Sequence, residues 1–334
     1  GKAKSCDDNN ACTADICDPW LGTCLVLQTT SPCDDGNACT LADHCTDGKC
    51  VGGGGWIETV AGNGAAGIDD GVGLDARFYL PGRMAAPFGS QGASKAPAQL
   101  YLSDRDAHLI RRVTPATWAV ETVAGSTGGY LDGALATARF SLPEGLAVAK
   151  DGAILVADAG NHRLRTISID AGAGPLKGSV KTFAGDGVAG LTDGPAATAR
   201  FKSPEDVVVD AAGTVYVADA ANRVLRRVQA GVVSTLAGSG TIGSLDGDAA
   251  VARFAWPTSL LLDGEDLFVA DRDNHRIRRV DLKKLVVTTW LGGGQSAWQD
   301  GIATQAAFSS PVGISVGGDG RWWLVSQQGS IAEV

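Results

Sequence analysis

The sequence predicts an all-β protein whose larger part is one unit repeated five times. The strongest copy of the central motif reads Ala270-Asp271-Arg272-Asp273-Asn274-His275-Arg276 and follows the apolar run Leu267–Val269. Weaker copies lie at 103–113, 157–167 and 218–228, and a degraded copy lies at 325–334. The 46 glycines, 12 prolines and 19% charged residues fit turn-rich β structure better than helices.

The repeat predicts the blades of a β-propeller. Each unit contains a Thr-Val-Ala-Gly-type segment, an Asp-Gly pair, an Ala-Arg-Phe-type segment, a proline and two apolar strands before the Ala-Asp motif. Two columns mark the five units: Asp70, Asp132, Asp193, Asp246 and Asp300, and Phe78, Phe140, Phe201, Phe254 and Phe308. Periods of about 50 to 60 residues with four strands each are typical of propeller blades. We therefore predict a five-bladed β-propeller of four-stranded antiparallel blades over residues 56–334.

The ends of the repeat predict how the propeller closes. The last unit has three strands and no outer strand, whereas Trp56–Ala61 has an outer-strand sequence and no blade of its own. We expect Trp56–Ala61 to pair with the strand near Ser330–Val334. The alternative is a six-bladed propeller in which Trp56–Ala61 pairs elsewhere.

The first 51 residues form a separate cysteine-rich module with two tandem repeats, at 6–24 and 33–50. All eight cysteines lie here: Cys6, Cys12, Cys17, Cys24, Cys33, Cys39, Cys45 and Cys50. Segments this short cannot bury a core, so four cysteines per repeat predict disulfide bonds and an oxidising compartment. Zinc is the alternative, although the Cys-x2-Cys spacing of zinc knuckles is absent. Gly52–Gly55 are expected to be a flexible linker.

Clustered acidic residues in this module suggest a calcium site. Asp7, Asp8, Asp34 and Asp35 supply the hard oxygen ligands that calcium prefers. The alternative is that these residues cap Asx turns in a module made of loops.

Two resemblances follow from these motifs. Asn161-His162-Arg163-Leu164 and Asn274-His275-Arg276-Ile277 resemble the NHL-repeat propeller family, while the last unit departs from it with Gln327-Gln328-Gly329. The resemblance implies a rigid disc, usually of six blades, used for binding or, in some members, for catalysis. The cysteine repeats resemble the short Cys-Asp-Asp-Gly-Asn-x-Cys-Thr repeats of large secreted and surface proteins.

Residues that recur in every blade are expected to be structural. His108, His162 and His275 occupy the same turn of different blades, roughly 11 Å from the axis at ordinary strand spacing, so they cannot converge on one metal ion. We expect them to form hydrogen bonds within their blades. The aspartate of the Ala-Asp motif is expected to fix the turn, and that of the Asp-Gly pair to cap a short helical turn.

Binding residues are therefore sought where the repeat is broken. The positions after the strand-opening proline differ in charge from blade to blade and are expected to ring the mouth of the central channel: Arg83, Glu144, Glu205, Asp206 and Thr258. Trp298 replaces smaller residues in a glycine-rich loop, where an aromatic side chain suits a ligand or partner. The alternative interpretations are a solvated rim and simple packing.

Charge and hydropathy exclude two partner classes. The net charge is −9, with no basic patch of the kind that nucleic-acid binding requires. No apolar run is long enough to span a membrane. We therefore predict an extracellular or cell-surface binding module that presents a rigid propeller face to a protein or glycan.

Two other functions are compatible with the sequence. One is a propeller-type hydrolase or lyase that uses a divalent cation at the channel mouth, where Glu144, Glu205 and Asp206 are the available carboxylates. The other is an architectural segment of a larger multidomain surface protein.

Overall fold

The chain divides into two units, Gly1–Thr59 and Val60–Val334, in a computed structural model. The structure describes residues 59–87, 99–170, 176–317, 321–327 and 331–333, together with four short strands within the first 51 residues. The predicted linker, residues 52–55, lies outside the described residues.

The described part of the first unit consists of two antiparallel hairpins. Thr13–Cys17 pairs with Cys24–Gln28, and His44–Thr46 pairs with Lys49–Val51. Their registers place Cys17 opposite Cys24 and Cys45 opposite Cys50. The remaining cysteines and the predicted calcium ligands lie outside the described residues, so the disulfide bonds and the calcium site remain predictions.

The second unit is an all-β propeller. Four of its sheets have five strands each, and the described part of a fifth has three. Sheet 1 contains Gly71–Val72, Pro81–Ala85, Leu100–Asp104, Leu109–Thr114 and Ala119–Gly125. Sheet 2 contains Gly133–Ala134, Pro143–Val148, Ile154–Asp158, Arg163–Ile169 and Gly178–Ala184. Sheet 3 contains Gly194–Pro195, Pro204–Val209, Val215–Asp219, Val224–Gln229 and Val232–Ala237. Sheet 4 contains Gly247–Asp248, Pro257–Asp263, Asp266–Asp271, Arg276–Asp281 and Val286–Leu291, and sheet 5 contains Pro311–Val316, Trp322–Ser326 and Ile331–Glu333.

Short 3-10 turns connect some of these strands. They are Gly73–Asp75, Ala159–Asn161, Ala220–Asn222, Arg272–Asn274 and Ala303–Gln305. No helix among the described residues is long and apolar enough to cross a membrane.

The prediction of four strands per blade was wrong for the complete sheets. The Asp-Gly segment was expected to cap a helical turn, but it adds a two-residue strand outside the outer strand, as where Gly133 pairs with Val180. The described residues therefore contain four complete blades of five strands, and not the predicted five blades of four. No sixth sheet occurs in the described part of the second unit.

The predicted closing strand is only partly described. Trp56–Glu58 lie outside the described residues, and Thr59, Val60 and Ala61 are not in a strand. Ile331–Glu333 pairs with Trp322–Ser326 in sheet 5. The pairing of Trp56–Ala61 with this sheet therefore remains a prediction.

Apolar side chains pack between neighbouring sheets. The layer between sheets 2 and 3 contains Leu155, Phe183 and Val215, and the layer between sheets 3 and 4 contains Tyr216, Leu236 and Leu267. Strand side chains alternate between two faces, so each sheet contributes to the layers on both its sides. The sheets are consequently fixed relative to one another by burial of apolar surface.

A buried aspartate–arginine pair joins the strands of each complete blade. In sheet 2, Asp158 accepts hydrogen bonds from the Ser141 amide at 2.7 Å, from Asn161 Nδ2 at 2.8 Å and from Arg165 Nη1 at 2.7 Å. Arg165 also donates to Asp132 Oδ1 at 2.6 Å. Both Asp158 and Arg165 are completely buried. The same arrangement recurs with Asp104 and Arg111, Asp219 and Arg226, and Asp271 and Arg278.

The histidine side chains were expected to bond within their own blades, but the imidazole Nδ1 atoms join neighbouring blades instead. Nδ1 of His108, His162 and His275 accepts a hydrogen bond from a backbone amide in the next sheet, at 3.1, 3.2 and 3.0 Å. The donors, Leu142, Ser203 and Ser310, all have φ of 49°. Non-glycine residues rarely adopt this left-handed conformation. The histidine therefore supports a strained turn immediately before the inner strands of sheets 2, 3 and 5.

Candidate functional site

The first residues of the inner strands place differently charged side chains around one end of the channel, which we call the channel mouth. Arg83 follows the proline that opens the inner strand of sheet 1. Its Nη1 donates to the Val312 carbonyl of sheet 5 and its Nη2 to the Thr258 carbonyl of sheet 4, both at 2.8 Å. One arginine thus contacts two other sheets across the channel.

Carboxylates from sheets 2 and 3 surround this arginine. Glu144 accepts a hydrogen bond and ion pair from Arg105 Nε, and Glu205 Oε1 accepts from Trp256 Nε1 at 2.7 Å. Asp206 Oδ2 lies 4.0 Å from Arg83 Nε. These contacts run from sheet 1 to sheet 4, so four blades contribute to one polar cluster.

Two predicted rim residues are buried beneath the mouth. Asp206 is 5% exposed, and its carboxylate accepts hydrogen bonds from the Val207 and Leu260 amides at 2.9 and 2.8 Å. Thr258 is 1% exposed, and its hydroxyl donates to the Ala270 carbonyl at 3.2 Å. The expectation that Asp206 and Thr258 would lie at the accessible rim was wrong, because the inner strands pack closely there.

Gly145 is the reason for that close packing. A Cβ at this position would lie 2.1 Å from Asp206 Oδ1 and 2.5 Å from Asp206 Cα. Contacts this short are not tolerated in proteins, so only glycine allows the inner strands of sheets 2 and 3 to approach. The approach also brings Glu144 and Glu205 near each other.

Burial makes the two glutamates more basic than usual. It raises the pKa of Glu144, and the neighbouring charge of Glu205 raises it further, against the opposing effects of Arg105 and Arg83. Burial also raises the pKa of Glu205, against the hydrogen bond from Trp256 and the charge of Arg83. The ionised forms of the two glutamates therefore reduce the stability of the folded protein. The positive charge of an approaching cation would offset part of this reduction.

Trp298 lies apart from this cluster. Its side chain is 48% exposed and lines a cavity of about 410 Å³ beside sheet 5, together with Ile302, Phe308 and Leu324. The structure thus brings together Arg83, Glu144, Glu205, Asp206 and Thr258, but not Trp298.

Three residues of the mouth were missed in the sequence. Arg105 and Arg272 follow the aspartate of the Ala-Asp motif, where the other blades have Ala159 and Ala220. Trp256 precedes the strand-opening proline, and the Arg272 guanidinium lies 5.0 Å from its ring centroid. A comparison of the blades at these columns would have identified all three.

The described residues contain no group of three or more histidine, cysteine, aspartate or glutamate side chains placed to share a metal ion. The guanidinium of Arg83 lies beside the mouth carboxylates, where a divalent cation had been considered. Its positive charge partly neutralises these carboxylates. The metal-dependent alternative stays a prediction.

Comparison with known proteins finds a repeat of a known type within the propeller. The sequence profile of the NHL repeat matches residues 140–167, which include the inner, second and third strands of sheet 2. Residues 140–167 of the propeller are therefore similar to an NHL repeat. Within this matched segment the asparagine and histidine of the motif have the structural roles described above, at Asn161 and His162.

Curated relatives match most of this chain at low identity. "NHL repeat-containing protein 2" of Bos taurus is 27% identical over 304 residues, which cover 81% of this chain and 41% of the relative. "Protein SUPPRESSOR OF QUENCHING 1, chloroplastic" of Arabidopsis thaliana is 26% identical over 294 residues, which cover 82% of this chain and 26% of the relative. The chain thus spans less than half the length of these relatives.

Solved structures show the same fold. A crystal structure of a protein of unknown function from Bacteroides thetaiotaomicron has a TM-score of 0.50 and 17% sequence identity, and the match covers 86% of this chain and 79% of that one. Identity this low indicates a shared fold and says nothing about a shared ligand.

The raised pKa values of the mouth glutamates predict a pH-dependent stability. A carboxyl group with a raised pKa in the folded state favours folding below its unfolded pKa and loses that contribution as pH rises through the folded pKa. Glu144→Gln and Glu205→Gln remove the charge but keep an amide of similar shape. We expect the difference in Tm, variant minus parent, to increase as the pH is raised from about 4 to about 8. A relative Tm that is constant or falls over this range in thermal melts would contradict this account.

Proposed function

We propose that this protein is a binding module whose ligand docks at the channel mouth. The observation that carries the proposal is the convergence of unlike charged side chains from four blades on one partly buried site. The repeated aspartates, arginines and histidines are engaged in holding the blades together. The mouth residues Glu144, Glu205 and Arg105 differ from blade to blade and retain exposed surface.

The charges favour a basic group on the ligand. Glu144 and Glu205 each have one bonded side-chain partner, Arg105 and Trp256, which leaves carboxylate lone pairs for another donor. A lysine or arginine side chain of a protein, or an amino sugar of a glycan, would form charge-assisted hydrogen bonds there. Trp298 is proposed as a second contact for a partner large enough to reach sheet 5.

The mouth can be tested with a glycan array and a panel of extracellular proteins probed with the full chain. We expect the Glu144→Gln/Glu205→Gln double variant to lose about tenfold or more in affinity for the ligand found, which corresponds to about 1.4 kcal/mol. Glu265→Gln is the matched control, because Glu265 lies in the turn between the inner and second strands, at the other end of sheet 4. Trp298→Ala is expected to lower the affinity for a partner large enough to reach sheet 5. A ligand whose affinity is insensitive to both mouth glutamates, or equally sensitive to Glu265→Gln, would refute the proposed site.

The cysteine-rich module supports an extracellular setting. Eight cysteines in the first 50 residues and none in the remaining 284 fit disulfide bonding in an oxidising compartment. We propose two disulfide bonds in each repeat, a calcium ion near Asp7, Asp8, Asp34 and Asp35, and a place for the chain within a larger surface protein.

Native mass spectrometry of the unreduced protein tests the disulfide and calcium proposals together. We expect no free thiols, and bound calcium that is lost on treatment with EDTA. Free thiols with bound zinc would support the alternative site, and a calcium-free mass at saturating calcium would eliminate the calcium site.

We also propose that sheet 5 is a fifth blade completed by Trp56–Ala61. The Gly62 amide donates to the Gly73 carbonyl at 3.0 Å, as the glycines after the outer strands of sheets 1 to 4 donate to the next sheet. Glu58–Gly62 has the same sequence as Glu121–Gly125, which contains the end of an outer strand. The residues before Gly62 are therefore suited to be the outer strand of the preceding blade.

Two N-terminal deletions test this closure. Removal of residues 1–55 is expected to leave the Tm of the propeller within about 2 °C, because the proposed strand is retained. Removal of residues 1–61 also deletes the proposed strand and is expected to lower the Tm by about 5 °C or more. In a domain of this size, a loss of about 1 kcal/mol in stability lowers the Tm by about 2–4 °C. Equal melting temperatures for the two deletions would mean that Trp56–Ala61 does not close the propeller.

A further inference from the structure

A second concave site lies between sheets 2 and 3, at the end of the strands opposite the channel mouth. It is a groove of about 360 Å³ bounded by the turns 149–153 and 209–213, and we call it the lower groove. Its walls include Leu155, Thr166 and Phe183 of sheet 2 and Asp210 and Val215 of sheet 3. Its volume lies within the range of small-molecule sites.

The groove exists because sheet 2 lacks a pair of large side chains that the other complete sheets have. In sheets 1, 3 and 4, an aromatic residue on the second strand lies opposite an arginine on the third. These pairs are Tyr101 with Arg112, Tyr216 with Arg227, and Phe268 with Arg279. In sheet 2 the corresponding pair is Leu155 with Thr166. Both partners are smaller, and both line the groove.

The equivalent layer between sheets 4 and 5 is filled by aromatic rings. Phe268, Trp290 and Trp322 pack against one another with ring centroids 4.5 to 4.8 Å apart. The corresponding residues between sheets 2 and 3 are Leu155, Phe183 and Val215. Two of the three rings are therefore replaced by aliphatic side chains, and Phe183 remains as an aromatic wall.

The polar groups of the groove resemble those that hold a tyrosine hydroxyl in the next blade. In sheet 3 the hydroxyl of Tyr216 reaches Asp210 Oδ2 at 3.4 Å. Sheet 2 has Leu155 in place of this tyrosine and Ala149 in place of this aspartate. Asp210 itself lines the lower groove, and the buried Oγ1 of Thr166 has no hydrogen-bond partner among the residues that the structure describes. Buried polar atoms normally have a partner, so Thr166 is suited to bond a ligand.

We infer that the lower groove binds a phenol, meaning a single aromatic ring that carries a hydroxyl group. The ring occupies the space that Tyr101, Tyr216 and Phe268 fill in the other blades and packs against Phe183. The hydroxyl bonds to Thr166 Oγ1 or to the Asp210 carboxylate. This site is separate from the channel mouth and does not depend on the function proposed there.

Ligand-observed NMR of the full chain with p-cresol tests the inference, with toluene as the ligand that lacks the hydroxyl. We expect saturable binding of p-cresol in the millimolar range typical of a fragment of this size, and weaker binding of toluene. Leu155→Tyr restores the ring found in sheets 1 and 3 and is expected to weaken p-cresol binding more than tenfold. Thr166→Val keeps the shape of the side chain but removes its hydroxyl, and it is expected to reduce the preference for p-cresol over toluene.

A control variant at another layer makes the result specific. Leu236→Phe enlarges a residue between sheets 3 and 4 and is expected to leave p-cresol binding unchanged, while thermal melts establish that each variant is folded. N-acetyl-tyrosinamide distinguishes the source of the ring, because binding comparable to that of p-cresol would mean that a tyrosine side chain of a partner can enter. Absence of saturable p-cresol binding, or binding by folded Leu155→Tyr equal to the parent's, would overturn the inference.

Discussion

The buried pairing of an aspartate with an arginine is the interaction on which the complete blades depend. In sheet 2, Arg165 bonds to Asp158, to Asp132 and to the Arg139 and Leu131 carbonyls, while Asp158 also holds the turn before the inner strand. A buried ion pair is tolerated only when its remaining hydrogen-bonding groups are largely satisfied, and removing one partner typically costs about 3–5 kcal/mol. Desolvation remains costly, since burial raises the pKa of Asp219 to about 6 against its bonds to Asn222 and Arg226.

This pairing also positions the candidate site. The aspartate bonds the amides just before the inner strand, and the mouth residues follow within a few positions, as Glu144 follows Ser141. The histidine of the preceding blade fixes the same turn from the other side, through the bond from the Leu142 amide to His108. The first residues of the inner strands are consequently held rigidly whatever their side chains are, so those side chains can differ between blades without disturbing the fold. A preorganised mouth of this kind reduces the entropy lost on binding.

The sequence predicted the repeated features of the fold better than it predicted the burial of individual residues. Repetition of the aspartate and phenylalanine columns was sufficient to predict the propeller. The charge variation after the proline predicted that Arg83, Glu144 and Glu205 lie at one mouth. Burial of Asp206 was not predictable, because it results from the missing Cβ of Gly145 in a neighbouring blade. The two-residue rim strands were missed because the Asp-Gly pair signals a turn locally, and the pairing of Gly133 with Val180 joins residues far apart in the chain.

Breaks in the repeat differ according to whether the structure compensates for them. Sheet 3 has Arg223 at the position of the motif histidine. In the turn before the inner strand of sheet 4, Trp256 is not in the left-handed conformation, and its amide donates to Asp271 rather than to a histidine. The structure thus compensates for this change. Leu155 and Thr166 replace a larger pair, yet Phe183 does not fill the volume, and the buried Thr166 hydroxyl has no partner in the described part of the chain. An uncompensated cavity lowers stability by loss of packing, which a bound ring would restore. For this physical reason the lower groove is a stronger candidate for a ligand site than other departures from the repeat.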